Sequence, residues 1–400
     1  LKIMVGIVVL SFFGVVVVLT IEGLNWGAVF KGLIPNFSLL TNPAPTLQPA
    51  IEATGEFAAH WQNVVANVQR DKIITAFATA VGINMTFLLP YSMLKKKWGT
   101  EHRQLAIVDL SIGLVIPFVL ATGCVVIAAA SQFHNQHQDV FEAIDNNVPA
   151  KSVGEYKKQL NGRIMADESL APTFGPLMDE LKKKDITEER KAEVQAEINA
   201  FYPQLPEADR MLAAKIAARG NLKLADTLAP LAGKQLSQKI FGVGVLGMAL
   251  STIIILMLIN GFAICEMLGK EPEGMTHRIG STLPGIIGIS GPFIWAGAAA
   301  ALATPTSVAG GAMLPIAYFT FLLLMNSKAV LGDARPEGKA RIIWNILMGT
   351  ATVVATFGSI WGIWGKAFAG IPFGKIGVAV LVVLFIVGTL GYIKNEKKAG

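Results

Sequence analysis

From Ile240 to Cys265 the chain runs without a single charged side chain, and the stretch 342–364 does the same. Such segments suit a hydrocarbon layer about 30 Å thick, which a helix of roughly 20 apolar residues can cross. Spans can be drawn over 3–20, 73–94, 104–131, 240–265, 279–302, 308–327, 342–364 and 375–393. Only helices and closed barrels satisfy their backbone groups inside lipid. Because no β-type alternation occurs, the sequence predicts an all-α integral membrane protein with about eight transmembrane helices.

Composition agrees: 52% of the 400 residues are hydrophobic and 16% charged, too apolar a balance for a soluble domain. The net charge of +6 does not point to nucleic acid, because the basic residues lie mainly in short connections. Lys95, Lys96, Lys97 and Arg103 follow the second span, Lys270 and Arg278 the fourth, Lys328, Arg335, Lys339 and Arg341 the sixth, and Lys394, Lys397 and Lys398 the last. The positive-inside rule places these connections and the C-terminus in the cytoplasm, as expected for a multi-pass protein of a cell inner (plasma) membrane. Cys124 and Cys265 lie in separate apolar runs, which excludes a disulfide framework or a CxxC metal site. The chain opens at Leu1 on an apolar segment without a cleavage site, and is expected to continue a longer polypeptide.

Between 132 and 239 the composition turns polar and charged, predicting an extracytoplasmic helical insert. Asp185 and Glu188 have capping-box spacing, Gly220 is expected to close an Ala-rich helix, and Met211, Leu212 and Ile216 form its apolar stripe. The outer loop 21–71 carries the Pro-rich string TNPAPTLQP and is expected to be irregular. The predicted organisation is therefore a membrane segment 1–131 containing that loop, the insert 132–239, and a second membrane segment 240–400.

Four strings carry a family resemblance: NWGAVFKGLIP from Asn25, AVGINMTFLLPYSML from Ala80 running into LAIVDLSIGL, ALSTIIILMLINGFAICEMLG from Ala249, and MLPIAYFTFLLLMNSKAVLG from Met313. In this order and spacing they resemble the Nramp family of divalent metal transporters, with the Nramp-related magnesium transporters as one branch the resemblance leaves open. The resemblance implies a LeuT-like (APC-type) inverted-repeat fold, present here in part. The spans of 1–131 would correspond to family helices 5–7 and those of 240–400 to helices 8–12. The first four helices, including the Asp-Pro-Gly-Asn segment that supplies the main carboxylate ligand, would belong to the missing N-terminal part of the same polypeptide. No enzyme and no cofactor is expected. The partners implied are the lipid bilayer and a transported divalent cation, Mn²⁺, Fe²⁺ or Mg²⁺.

The second span has the features of a broken helix. Gly82 weakens it, Asn84 and Thr86 are polar at its centre, and Pro90 removes a backbone donor. On the residues alone a Gly-and-Pro kink accounts for this pattern; the resemblance turns the reading toward an ion held by Gly82, Ile83, Asn84, Met85 and Thr86. Where the family carries Met-Pro-His, this chain reads Met85-Thr86-Phe87 or Thr86-Phe87-Leu88. Thioethers favour softer transition metals and oxygens favour Mg²⁺ or Ca²⁺, so manganese and magnesium both stay open. Met313 stands where the family has a glutamine before Leu-Pro, and Gly310 and Gly311 before it allow close backbone approach or local unwinding.

Transporters that move protons usually place Asp, Glu or His within the membrane. His60, His102, His134, His137 and His277 all fall in loops or at span edges, so weak or absent proton coupling is expected. Asp109 and Glu266, near basic loops, read as salt-bridged gates or anchors. His134 and His137, with Asp139 and Glu142, read as a solvated polar loop more than as a metal-collecting one. Trp295, Trp344, Trp361 and Trp364 read as interfacial anchors. Two rival functions remain: transport of an organic solute on the same fold, and a non-transporting receptor that uses the outer insert.

Overall fold

The computed structural model describes the chain except for residues 1, 80–82, 149, 182, 184–185, 292, 294–298, 368–369 and 400. Its helices begin with α1 (Lys2–Ile21), α2 (Trp26–Leu33), α3 (Gln48–Glu52), α4 (Ala58–Thr79), α5 (Ile83–Lys95), α6 (Arg103–Leu110) and α7 (Ile116–Phe133). The polar stretch gives α8 (Gln138–Asp145), α9 (Lys151–Met165), α10 (Ala171–Glu180), α11 (Glu188–Asn199), α12 (Glu207–Ile216) and α13 (Asn221–Asp226). The chain then forms α14 (Ala229–Met267), α15 (Gly274–Ser290), α16 (Ala299–Asn326), α17 (Lys328–Leu331), α18 (Gly338–Trp364) and α19 (Phe373–Ala399). Among the described residues no β-strand occurs.

Among the described residues five stretches are long and apolar enough to cross a membrane: Arg103–Phe133, Gly233–Met267, Val308–Asn326, Gly338–Trp364 and Phe373–Lys397. A shorter apolar run, Gly6–Ile21, lies in α1. The expected spans 73–94 and 279–302 each include residues outside the described ones. Arg103–Phe133 is not uniform, because α6 and α7 are joined by one π-helical segment, Ser111–Val115. A positive φ of 73° at Gly233, which glycine alone adopts without strain, sets the first turn of α14 apart from its long apolar part.

The chain divides into two compact units, one of Leu1–Arg70 with Leu105–Ala249, the other of Asp71–Gln104 with Leu250–Gly400. In the first, segments remote in sequence share a core: Ile51 of α3 and Trp61 and Val65 of α4 pack with Val140, Leu160, Phe174, Val194 and Leu212. The loop 21–71 is therefore not irregular. Its Pro-rich string gives a 3₁₀ turn at Pro45–Leu47 and then α3, with Pro49 in the first turn, where a missing N–H costs nothing.

At the centre of that core Arg163 pairs with Asp209 and Asp167, each at 3.0 Å. The second Asp209 oxygen accepts the indole N–H of Trp61 at 2.5 Å, and the Phe57 ring covers the Arg163 guanidinium. Every charge taken out of water here has a partner, as buried ions require. The Ser169 hydroxyl and Arg163 together draw the Asp167 carboxyl down to about 2. Burial, reinforced by the Arg163 charge, lowers the pKa of His60.

Two expected helix ends lie elsewhere. The cap of α11 is Thr187, whose hydroxyl accepts the Arg190 N–H at 3.3 Å, while Asp185 is outside the described residues. Gly220 precedes α13 instead of closing α12, which ends at Ile216 with Ala217 as its C-cap. The stripe on α12 holds, with Leu212 fully buried and Ile216 packed against the core.

In the second unit α16 packs on α18 and α19. Small residues permit the approach: a Cβ on Gly311 would press on Ile363 of α18 at 2.7 Å, and one on Gly374 would run into the Ile363 carbonyl. Without a hydrophobic drive between helices in lipid, such close contacts supply much of the association energy.

Candidate metal centre

α5 begins at Ile83, so Asn84, Met85 and Thr86 lie in its first turn, and Gly82 is outside the described residues. Pro90 stands inside α5 and has no N–H to give the carbonyl of Thr86 four residues earlier. In α16 Pro315 stands in the same relation to the carbonyl of Gly311. Two helices that pack on each other within one unit thus each carry a carbonyl oxygen without its usual helical donor. In lipid such an oxygen is costly unless a cavity, a neighbour or a cation meets it.

The C-terminal half of α5 is held by rings. Tyr91 stacks on Phe262 of α14 at 4.7 Å, and Phe262 in turn meets His277 of α15 at 4.8 Å. Gly261 lets α15 come close, since a Cβ there would collide with the Ser281 hydroxyl. This stack fixes α5 at the end away from Asn84.

Met313 lies on α16 with 45% of its surface exposed, between the buried Ala312 and Leu314. α16 is continuous helix through Gly310 and Gly311, so of the two roles open to these glycines the structure takes close packing, by Gly311 against Ile363. Asp109 is exposed on α6, two residues before the π-helical segment, and Glu266 is exposed in the last turn of α14. Neither forms an ion pair among the described residues, contrary to the expected salt bridges. Within the basic loop Lys96 sits over the Trp98 ring at 4.3 Å, and Glu101 contacts His102 at 3.2 Å.

Among the described residues no cluster of three His, Cys, Asp or Glu side chains could hold a metal. His134 contacts the Thr46 hydroxyl at 3.2 Å and His137 packs edge-on against Phe141. Of the tryptophans, Trp344 lies near the start of α18 and Trp361 and Trp364 in its last turn, all exposed, as anchors at two interfaces would be; Trp295 is outside the described residues.

One polar cluster escaped the sequence reading. Asn326 at the end of α16 exchanges hydrogen bonds with Asn345 of α18 at 2.6 and 3.1 Å, and accepts the Arg341 Nε–H at 3.1 Å. Its backbone carbonyl accepts from Tyr392 of α19 at 3.2 Å. The available signal was an asparagine within each of two apolar runs. Nearby, Glu396 of α19 accepts from the Ser327 hydroxyl and from the Lys328 and Ala329 N–H groups.

Residues 210–365 match the sequence profile of the family described as natural resistance-associated macrophage protein-like, Nramp. No curated protein and no solved structure shows significant similarity to the chain.

Proposed function

We propose that this chain, whose residues 210–365 match the Nramp profile, is a divalent metal transporter and not an enzyme, and that it carries its cation by alternating access with the ion held between α5 and α16. The ligands in this reading are the Asn84 side chain, backbone oxygens of Gly82, Ile83 and Thr86, and the thioethers of Met85 and Met313. What supports it is the packing of α5 on α16, each with a proline that frees a carbonyl near these residues. Oxygens alone would favour Mg²⁺; with the two thioethers engaged the same site favours Mn²⁺ or Fe²⁺. Asp109 and Glu266 serve as gating or anchoring groups at the ends of their helices.

The test is radioisotope uptake of Mn²⁺ and Mg²⁺ by the complete polypeptide in liposomes, with each ion competing against the other. Saturable uptake of either supports the reading, and competition orders the two. Absence of saturable uptake for Mn²⁺, Fe²⁺ and Mg²⁺ alike would overturn it. Intravesicular pH recorded in the same vesicles should stay flat, because the five histidines of this sequence lie in loops or at the edges of the expected spans.

A further inference from the structure

The first unit holds a cavity of about 590 Å³ that the transport reading leaves unused. It opens between the start of α9, the short helix α13 and the first turns of the apolar part of α14. Lys151, Lys223 and Lys234 reach it from these three elements. α9 runs for 15 residues from Lys151, and its N-cap Ala150 has no side chain to cap it. The first N–H groups of that helix therefore lack a helical acceptor and carry the positive end of its dipole.

A second observation points the same way. Ser152 lines the cavity, is 1% exposed, and its hydroxyl has no hydrogen-bond partner. Buried hydroxyls are rarely left unpaired, since the lost hydration is not recovered.

The acidic residues around the cavity do not make it a cation site. Both oxygens of Asp139 are taken by Arg219, at 2.8 and 3.2 Å. Asp226 accepts from the Gln238 amide at 3.1 Å and faces Lys223 at 3.9 Å. Only Glu142, exposed at the rim, is left against Lys151 and Lys234, neither of which has an acidic partner among the described residues. Lys234 and Gln238 lie in the first two turns of the candidate span Gly233–Met267, and basic residues at span ends suit a headgroup layer.

We propose that this cavity binds a phosphate-bearing anion, either an acidic lipid headgroup or free phosphate, through Lys151, Lys234, the uncapped N-terminus of α9 and the Ser152 hydroxyl. Helix N-termini beside lysines are suited to phosphate oxygens. Neither the metal nor the transport step enters this assignment.

The test follows the thermal midpoint of the purified chain in neutral detergent during separate titrations with short-chain phosphatidylglycerol, inorganic phosphate, and short-chain diacylglycerol as the uncharged control. A saturable rise is expected with a phosphate-bearing probe and not with diacylglycerol. Saturation by phosphatidylglycerol alone identifies a headgroup site, and saturation by inorganic phosphate identifies a free-anion site. The double substitution Lys151→Gln/Lys234→Gln should raise the half-saturating concentration at least tenfold. Ser152→Ala should raise it several-fold while leaving the unliganded midpoint unchanged, because its hydroxyl bonds to nothing. Lys157→Gln/Lys215→Gln, which removes two charges of the same unit outside the cavity, should change nothing. No saturation by either phosphate probe, or equal half-saturation in the wild type and the Lys151/Lys234 variant, would overturn the proposal.

Discussion

The helical core around Trp61 and the bundle of α16, α18 and α19 are both all-helical, yet they are assembled for different solvents. Around Trp61 the large apolar side chains are inside, and the buried Arg163 is paired with the buried Asp209 and the half-buried Asp167. In the bundle Ile346, Phe357, Val383 and Leu390 are more than half exposed, and inside it small residues, Gly311, Ala312, Ala355 and Gly374, stand beside the few large buried ones such as Leu314, Ile363 and Leu381. Water drives the first arrangement by expelling apolar surface. Lipid offers no such drive, so the second depends on close backbone approach and on polar groups at helix ends.

If this contrast is right, the two regions should break in different ways. The largest effect is expected from Asp209→Ala, which strands the Arg163 guanidinium inside the core; removal of one partner of a buried pair costs roughly 3–5 kcal/mol. Thermal unfolding should show it, and a wild-type midpoint would mean that the pair is not buried in solution. Gly311→Val comes next, because the added methyls meet Ile363 across α16 and α18, and overpacking costs about 1–3 kcal/mol. Thermal unfolding in detergent should record that loss, while Gly310→Ala, with open space around it, should be far milder.

Acid should weaken the Trp61 core first. A carboxyl drawn down to about 2 stabilises the folded chain at pH values above its ordinary 3.8, and that contribution fades as pH falls from near 4 through 2. His60 acts earlier. Its lowered pKa means that the unfolded chain takes up a proton below about 6.5 before the folded one does, so stability declines from there downward. Asp167→Asn should flatten the lower part of a midpoint-against-pH curve and His60→Gln the upper part; unchanged curves would refute these assignments. The smallest effect is expected from Thr187→Ala, which removes the α11 cap and costs about 1 kcal/mol, measurable as faster amide exchange in the first turn of that helix.

How far each region could be read from the chain follows the same division. Membrane spans announce themselves, because a run such as Ile240–Cys265 has no other stable place to go. The Trp61 core does not, since its order comes from pairing residues 47–65 with residues 140–217, a distance that local periodicity cannot carry. Hence the Pro-rich loop looked irregular although it supplies Ile51 and Trp61 to a dense core. Short-range signals misplaced two caps for a related reason: Asp185 and Thr187 both suit an N-cap, and only the backbone decides between them. At the candidate centre, Gly82, Asn84, Thr86 and Pro90 were visible as a weak point in a helix and Met313 before Leu-Pro through the family resemblance, but the packing of α5 on α16 was not, because local periodicity carries no such contact.

The most direct test is cation uptake by the complete polypeptide in liposomes, comparing wild type with Asn84→Ala and with Trp61-core variants that still fold. If the ion sits between α5 and α16, Asn84→Ala should raise the half-saturating metal concentration roughly tenfold, the equivalent of about 1.4 kcal/mol of lost binding, while the core variants leave it unchanged. Wild-type uptake by Asn84→Ala, with uptake lost in the core variants instead, would contradict the account.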